Sequence, residues 1–146
     1  MTTVAWKASE KILAADSYAT DAGTAIQVRK TAILPNGDVA AGAGTLYSVA
    51  RALQWLASGA QGDAPDLGDA TILFTVYGEM HMASEGWPGV PVKGDCAVGS
   101  GAQGALVAMK MGLGAVEAVQ AVAGVDPCTG GEIEALTYKP AKARKR

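Results

Sequence analysis

The sequence predicts an α+β fold in which helices cover the outer faces of one or two mainly antiparallel sheets. Apolar runs are cut by turn residues at Ala8-Ser9-Glu10 and Pro35-Asn36-Gly37-Asp38, the pattern of antiparallel hairpins. Helical spacing is confined to one block after Thr45 and one before Glu132, so strands and helices are segregated. At 146 residues, with 49% hydrophobic and 18% charged side chains, the chain suits a single domain with its own core. Glycine is plentiful and aromatics make up only 5%, so small side chains and closely approached backbones are expected.

Thr2 to Lys7 and Lys11 to Ser17 read as two antiparallel strands around a tight turn. After a loop at Asp21-Ala22-Gly23, Ala25 to Leu34 is part-alternating and meets Pro35-Asn36-Gly37-Asp38 before Val39-Ala40-Ala41-Gly42. Asn-Gly between two such runs predicts a second hairpin, because glycine accepts the positive φ that the turn requires. From Thr45, a candidate cap, Leu46, Val49, Ala50, Leu53, Leu56 and Ala57 recur at helical spacing. Ser58 to Pro65 is a loop by composition. Ala70 to Tyr77, Glu79 to Ser84 and Asp95 to Val98 suggest three strands. Leu106 to Leu113 and Val116 to Val122 suggest two helices broken at Gly112-Leu113-Gly114, and Glu132 to Tyr138 alternates as a closing strand.

Several function classes are disfavoured. The N-terminus lacks a basic flank and apolar core, and no apolar run approaches the roughly 20 residues of a membrane span, so a cytoplasmic protein without membrane contact is expected. Cys96 and Cys128 lie far apart and His81 is the only histidine, which leaves no zinc set and no cofactor or metal to expect. The net charge is −2, but Lys139, Lys142, Arg144, Lys145 and Arg146 sit at the end, so the body is more acidic than that. Residues 1–138 are expected to form the domain and residues 139–146 a disordered basic tail; no aromatic residues beyond Tyr138 interleave with those charges, so nucleic-acid binding is not expected. Gly99-Ser100-Gly101-Ala102-Gln103-Gly104 matches a dinucleotide fingerprint, but a second helix follows where a parallel strand should return. His81 reads as a solvated strand histidine, since no nucleophile-elbow motif accompanies it.

The start of the chain carries a more specific chemistry. Removal of Met1 would leave Thr2 with a hydroxyl and a free amine on one residue, nucleophile and base together. An α-amine titrates near about 7.7–8.0, which suits a general base. Asp16 ends one apolar strand and Lys30 sits within another. As a surface pair they would contribute little, but beside Thr2 a lysine would lower the hydroxyl pKa, and the acid would hold that lysine charged and oriented.

Met1-Thr2-Thr3-Val4-Ala5, Leu13-Ala14-Ala15-Asp16-Ser17-Tyr18-Ala19-Thr20, Lys30, Ala41-Gly42-Ala43-Gly44, Gly99-Ser100-Gly101 and Asp126-Pro127-Cys128-Thr129-Gly130-Gly131 follow one another in a family-like order. In order and spacing the chain resembles proteasome β-type subunits over nearly its whole length, and most of all the bacterial HslV-type peptidase and compact phage-encoded relatives. The resemblance implies the N-terminal-nucleophile hydrolase fold, a four-layer αββα sandwich, here with a shortened helical layer because only Ser58 to Asp69 stands where a second long helix is usual. It implies that Thr2 is the nucleophile, with Asp16, Lys30 and Ser100 as its catalytic companions. It places Asp126 and Thr129 around the amine and the oxyanion donor on the Gly42 N–H, or on Ala43 or Gly44 if the register slips. The strand before Pro35 would border the substrate groove, with Thr20, Val28 and Ala32 along it and a modest preference for apolar side chains.

The expected activity is threonine-type endopeptidase cleavage of unfolded polypeptide inside a self-compartmentalising homo-oligomeric ring, with an AAA+ unfoldase as partner. The second reading is a catalytically inactive ring protein of the same build with a structural or regulatory role.

Overall fold

A computed structural model of the chain describes residues 2–21 and 23–140. The first strands are β1 (Thr3–Lys7) and β2 (Ile12–Ala15), followed by β3 (Tyr18–Asp21) and β4 (Thr24–Gln27). Next come β5 (Thr31–Ile33), a 3-10 turn at Pro35–Gly37, β6 (Val39–Ala43) and α1 (Leu46–Ala57). The second half contains β7 (Thr71–Val76), β8 (Glu79–Ser84), β9 (Val90–Pro91), β10 (Cys96–Gly99), α2 (Ala102–Lys110), α3 (Ala115–Ala123) and β11 (Glu134–Thr137).

These strands form a four-stranded sheet ordered β10-β1-β2-β11, a five-stranded sheet ordered β5-β6-β7-β8-β9, and a separate β3-β4 ribbon. Every pairing among the described residues is antiparallel. Side chains alternate across each strand, and the burial follows that period. Val4, Trp6, Leu13 and Ala15 of one sheet meet Val39, Ala41, Leu73 and Met80 of the other. On the reverse faces, Ala5 and Ala14 pack against Ala105, Met109, Ala118 and Val119 of α2 and α3, while Ala40, Ile72 and Phe74 pack against Val49, Ala52 and Leu53 of α1. Alanine on the strands lets the helices approach closely, which accounts for the composition.

The expected four-layer αββα sandwich is corrected. The described residues are mostly antiparallel sheet with three short helices of 12, 9 and 9 residues. α1 alone does not make a layer on the five-stranded sheet. Part of that face is covered by Leu67 and Trp87 from non-helical segments. An apolar hollow of about 540 Å³ lined by Trp55, Phe74 and Trp87 remains beside α1.

Three local expectations also change. The run Ala25 to Leu34 is two strands, because the chain leaves the β3-β4 ribbon at Gln27 and enters the five-stranded sheet only at Thr31. β3 was not legible, since the bend before it is held by long-range bonds: Asp16 accepts from the Thr3 and Gly130 N–H groups, and Ser17 N–H donates to the Gly130 carbonyl. α2 starts at Ala102, earlier than its periodicity suggests. Gly104 interrupts the apolar pattern within it, and a Cβ there would press on Val122 of α3 at 3.2 Å.

Tyr138 packs over Gly78, and the Lys139 N–H donates to the Gly37 carbonyl at 3.3 Å. Met1, and the basic tail from residue 141 onward, lie outside the described residues. Among the described residues no helix is long and apolar enough to cross a membrane.

Candidate active site

Topology brings three dispersed residues to one end of the sheets. Thr2 immediately precedes β1, a central strand of its sheet. Asp16 immediately follows β2, which runs antiparallel to β1 with Val4 opposite Ala15, so the start of one strand and the end of the other coincide. Lys30 immediately precedes β5 at the edge of the facing sheet. Lys30 Nζ donates to Thr2 Oγ1 and, at 3.1 Å, to Asp16 Oδ1. All three residues are buried: Thr2 is 4% exposed, Asp16 1% and Lys30 3%.

A buried ion pair needs its remaining hydrogen-bonding capacity filled, or desolvation outweighs the attraction. Asp16 meets that condition, accepting from Thr3 N–H at 3.1 Å on Oδ1 and from Gly130 N–H at 3.0 Å on Oδ2. Burial lowers the Lys30 pKa from its ordinary 10.5, and the charge and hydrogen bond of Asp16 oppose that shift. Asp16 thus opposes the desolvation of a Lys30 ammonium, and Nζ donates to the Thr2 hydroxyl oxygen, where a positive charge would favour the alkoxide form.

Ser100, Asp126 and Thr129 are also brought together. The Ser100 N–H donates to the Thr2 carbonyl at 2.9 Å, and Ser100 Oγ donates to Asp126 Oδ2 at 2.5 Å. Thr129 Oγ1 donates to the same carboxylate oxygen at 2.7 Å and lies 2.7 Å from Thr3 Oγ1. The Asp126 pKa is lowered, first by the Ser100 hydrogen bond and then by those from Cys128 N–H and Thr129. A carboxylate whose native pKa is depressed stabilises the fold above its ordinary value of 3.8 and loses that contribution as pH falls through the native value. Asp126→Asn is therefore expected to lose less stability than wild type on acidification below about pH 4, measured as denaturation midpoint against pH.

Gly99 explains the false dinucleotide fingerprint. Its φ is +100°, and a Cβ there would sit 1.6 Å from the Thr2 carbonyl oxygen, so only glycine lets β10 close on the Thr2 backbone. The chain then enters α2 and α3 rather than a parallel strand, and β10 runs antiparallel to β1.

Thr2 and Lys30 open onto a cleft of about 740 Å³ whose wall includes Thr20, Ile26, Gly42, Ala43 and Gly44. Gly42 is not free to serve as the oxyanion donor, because its N–H donates to the Lys30 carbonyl at 3.1 Å. N–H groups alternate along a strand. The next one on that edge belongs to Gly44, just past β6, and no backbone acceptor takes it among the described residues. The substrate-groove expectation changes as well. Thr20 lines the cleft, but Val28 and Ala32 do not. Ala32 packs toward α1, and the Val28 N–H is tied to the Ser17 carbonyl at 2.8 Å. The continuous strand that would have aligned both with Lys30 is broken at residues 28–30.

Sequence reasoning missed Thr3 and Gly130, whose N–H groups hold Asp16, and Asp69, which borders the cleft and accepts the Thr45 N–H at 2.9 Å. The Gly-Gly pair after Thr129 was a signal for the second. The bonds of the others are long-range and leave no local pattern. His81 lies away from the cleft, its Nδ1 2.9 Å from the Glu79 carbonyl and its ring stacked on Phe74. Among the described residues no His, Cys, Asp and Glu cluster could hold a metal ion.

Burial and neighbouring Asp95 push the Cys96 thiol up to about 12, whereas Cys128 is exposed. A thiol reagent at neutral pH is expected to titrate Cys128 alone in the native protein and both cysteines after denaturation.

Several solved structures share this fold. Thiobacillus denitrificans BPH in complex with epoxomicin aligns with a TM-score of 0.66 at 16% identity, over 95% of this chain and 99% of that one. A second structure of Thiobacillus denitrificans BPH aligns at 0.65, with 16% identity over 96% of this chain and 99% of that one. The Anbu (Gly-1) mutant from Hyphomicrobium sp. strain MC1 aligns at 0.70 with 11% identity, over 97% of this chain and 85% of that one. No family model and no curated protein matches the sequence. The HslV-type resemblance is corrected by these matches, which are to BPH and Anbu structures. At 11–16% identity they show the fold.

Proposed function

We infer that the chain is a threonine-type amide hydrolase whose nucleophile is Thr2 after removal of Met1. The observation that carries this reading is the buried Thr2–Lys30–Asp16 chain of hydrogen bonds opening on a cleft. A structural role requires neither a buried lysine aimed at a hydroxyl nor a cleft over that hydroxyl. Thr2 Oγ1 attacks the carbonyl carbon of a peptide bond, and its proton passes to the Thr2 α-amine. The oxyanion forms against the Gly44 N–H. The N-terminus of α1, which also borders the cleft, adds its positive partial charge. The C–N bond then breaks, the leaving amine takes the proton from the Thr2 ammonium, and water hydrolyses the ester to release the acid and restore Thr2. Such a donor contributes about 2.7–4 kcal/mol to lowering a barrier of this kind.

Unfolded polypeptide is the proposed substrate, since an extended chain can enter the open cleft. Homo-oligomeric ring assembly, fed by an AAA+ unfoldase, is proposed with it. Leu106, Val107 and Met111 are exposed around α2 and its C-terminal end, an apolar face suited to contact with another copy.

The test combines the mass of the intact N-terminus with hydrolysis of an unfolded protein and exposure to epoxomicin, the ligand named in the BPH complex. Loss of the Met1 mass, peptide cleavage and an epoxomicin adduct on Thr2 are expected. A processed Thr2 with neither cleavage nor adduct would overturn the reading and favour the inactive ring protein.

A further inference from the structure

Asp69 is the one carboxylate that borders the cleft among the described residues, and the chemistry above does not use it. It ends the loop that joins α1 to β7. It has no ion-pair partner among the described residues. Its Oδ1 accepts the Thr45 N–H at 2.9 Å, joining this loop to the residue that precedes α1.

The bond is placed at a critical turn. Thr45 has no side-chain cap bond of its own, so the orientation of the Gly44–Thr45 peptide, and through the Gly44 backbone angles that of the adjoining Ala43–Gly44 peptide with its Gly44 N–H, rests on what grips it from outside. Gly44 has φ of +127°, and a Cβ there would meet the Ala70 Cα at 2.7 Å and the Asp69 carbonyl oxygen at 3.0 Å. The backbone of residues 69–70 is thus pressed against Gly44 while the Asp69 side chain holds the next N–H. Thr45 N–H is bound, and Gly44 N–H is left for the cleft. An oxyanion donor acts through a fixed direction, and a loose peptide loses much of that effect.

We propose that Asp69 is a positioning residue for the oxyanion donor, acting through its acceptor oxygen on Thr45 N–H rather than through its charge. This rests on the hydrolase reading. It makes the shortened segment between α1 and β7 a working part of the site.

The test uses full-length, N-terminally processed protein and a fluorogenic peptide, with amide hydrogen exchange at Gly44 and Thr45 as a readout independent of turnover. Asp69→Ala is expected to speed exchange at Thr45, to lower kcat roughly 10- to 100-fold and to leave KM within about twofold. Asp69→Asn keeps an acceptor oxygen without the charge, and it is expected to recover most of the lost kcat and the slow exchange. Thr45→Pro fits the Thr45 φ of −58° and deletes the donor, so it should reproduce the Asp69→Ala defect, and the two together should cost little more than either. Wild-type kcat in Asp69→Ala, or a defect in Asp69→Asn as deep as in Asp69→Ala, would overturn the proposal. If exchange responds as expected while wild type itself hydrolyses nothing, the bond is only structural, and the hydrolase reading fails with the proposal. Normal wild-type turnover with no Asp69 effect removes this proposal alone.

Discussion

Thr2→Ala is expected to lower peptide hydrolysis by roughly 10⁴-fold or more, the scale seen when a catalytic nucleophile is removed. Its fold should survive. Thr2 Oγ1 accepts one hydrogen bond from Lys30, whose Nζ keeps Asp16 as partner at 3.1 Å. Losing one such bond costs about 1 kcal/mol, a fall of roughly 2–4 °C in Tm for a domain of this size. Thr2→Ser keeps the hydroxyl and the amine and should retain activity. Progress curves on an unfolded substrate and thermal melts of the three proteins check this. Near-wild-type cleavage by Thr2→Ala would show that the nucleophile lies elsewhere.

Asp16→Ala should be the most destabilising single change at the site. It leaves the Lys30 ammonium buried without its counter-charge, and it orphans the Thr3 and Gly130 N–H groups that the carboxylate holds. Breaking one partner of a buried pair costs about 3–5 kcal/mol, and the corresponding fall in Tm is roughly 6–20 °C. Lys30→Met should be milder for stability, since Asp16 would still accept from both backbone donors, yet nearly as damaging to turnover. The contrast separates fold from chemistry: Asp16→Ala loses both, Lys30→Met chiefly the second. Chemical denaturation beside kcat measurements would show it. Equal stability loss in the two variants would contradict the unequal hydrogen-bond loads read from the structure.

The Lys30 shift carries its own pH dependence. Because its native pKa lies below its ordinary 10.5, the fold binds that proton less tightly than the unfolded chain does. The penalty is full below the native pKa and is relieved as pH rises from there toward 10.5. Lys30→Met should therefore flatten the rise in stability across that alkaline window.

Most strands and helices were legible because their signals are local. The alternation of Glu79 to Ser84, the Asn-Gly turn after Pro35 and the spacing of Leu46, Val49 and Leu53 each reflect geometry within a few residues. The candidate site was legible in part for a different reason. Thr2, Asp16, Lys30 and Ser100 are residue types whose chemistry is recognisable in order along the chain. The Gly42 assignment did not carry over into the structure, because which N–H of Ala41-Gly42-Ala43-Gly44 faces the cleft depends on strand register and on the Gly42 N–H bond to Lys30. Register is set by neighbouring strands and not by the tetrapeptide itself.

The sequence by itself determined the antiparallel character of the chain, the small-residue packing and the identity of the groups able to do acyl chemistry. These follow from alternation, composition and functional groups, which are properties of the residues. Tertiary structure alone decided that β1 and β2 bring Thr2 and Asp16 to one end, and that Lys30 reaches them from the facing sheet. It also decided that the loop after α1 delivers Asp69 to Thr45. The physical reason is range: hydrogen bonds between residues 13 to 114 positions apart fix these geometries, and no window of neighbouring residues contains both partners.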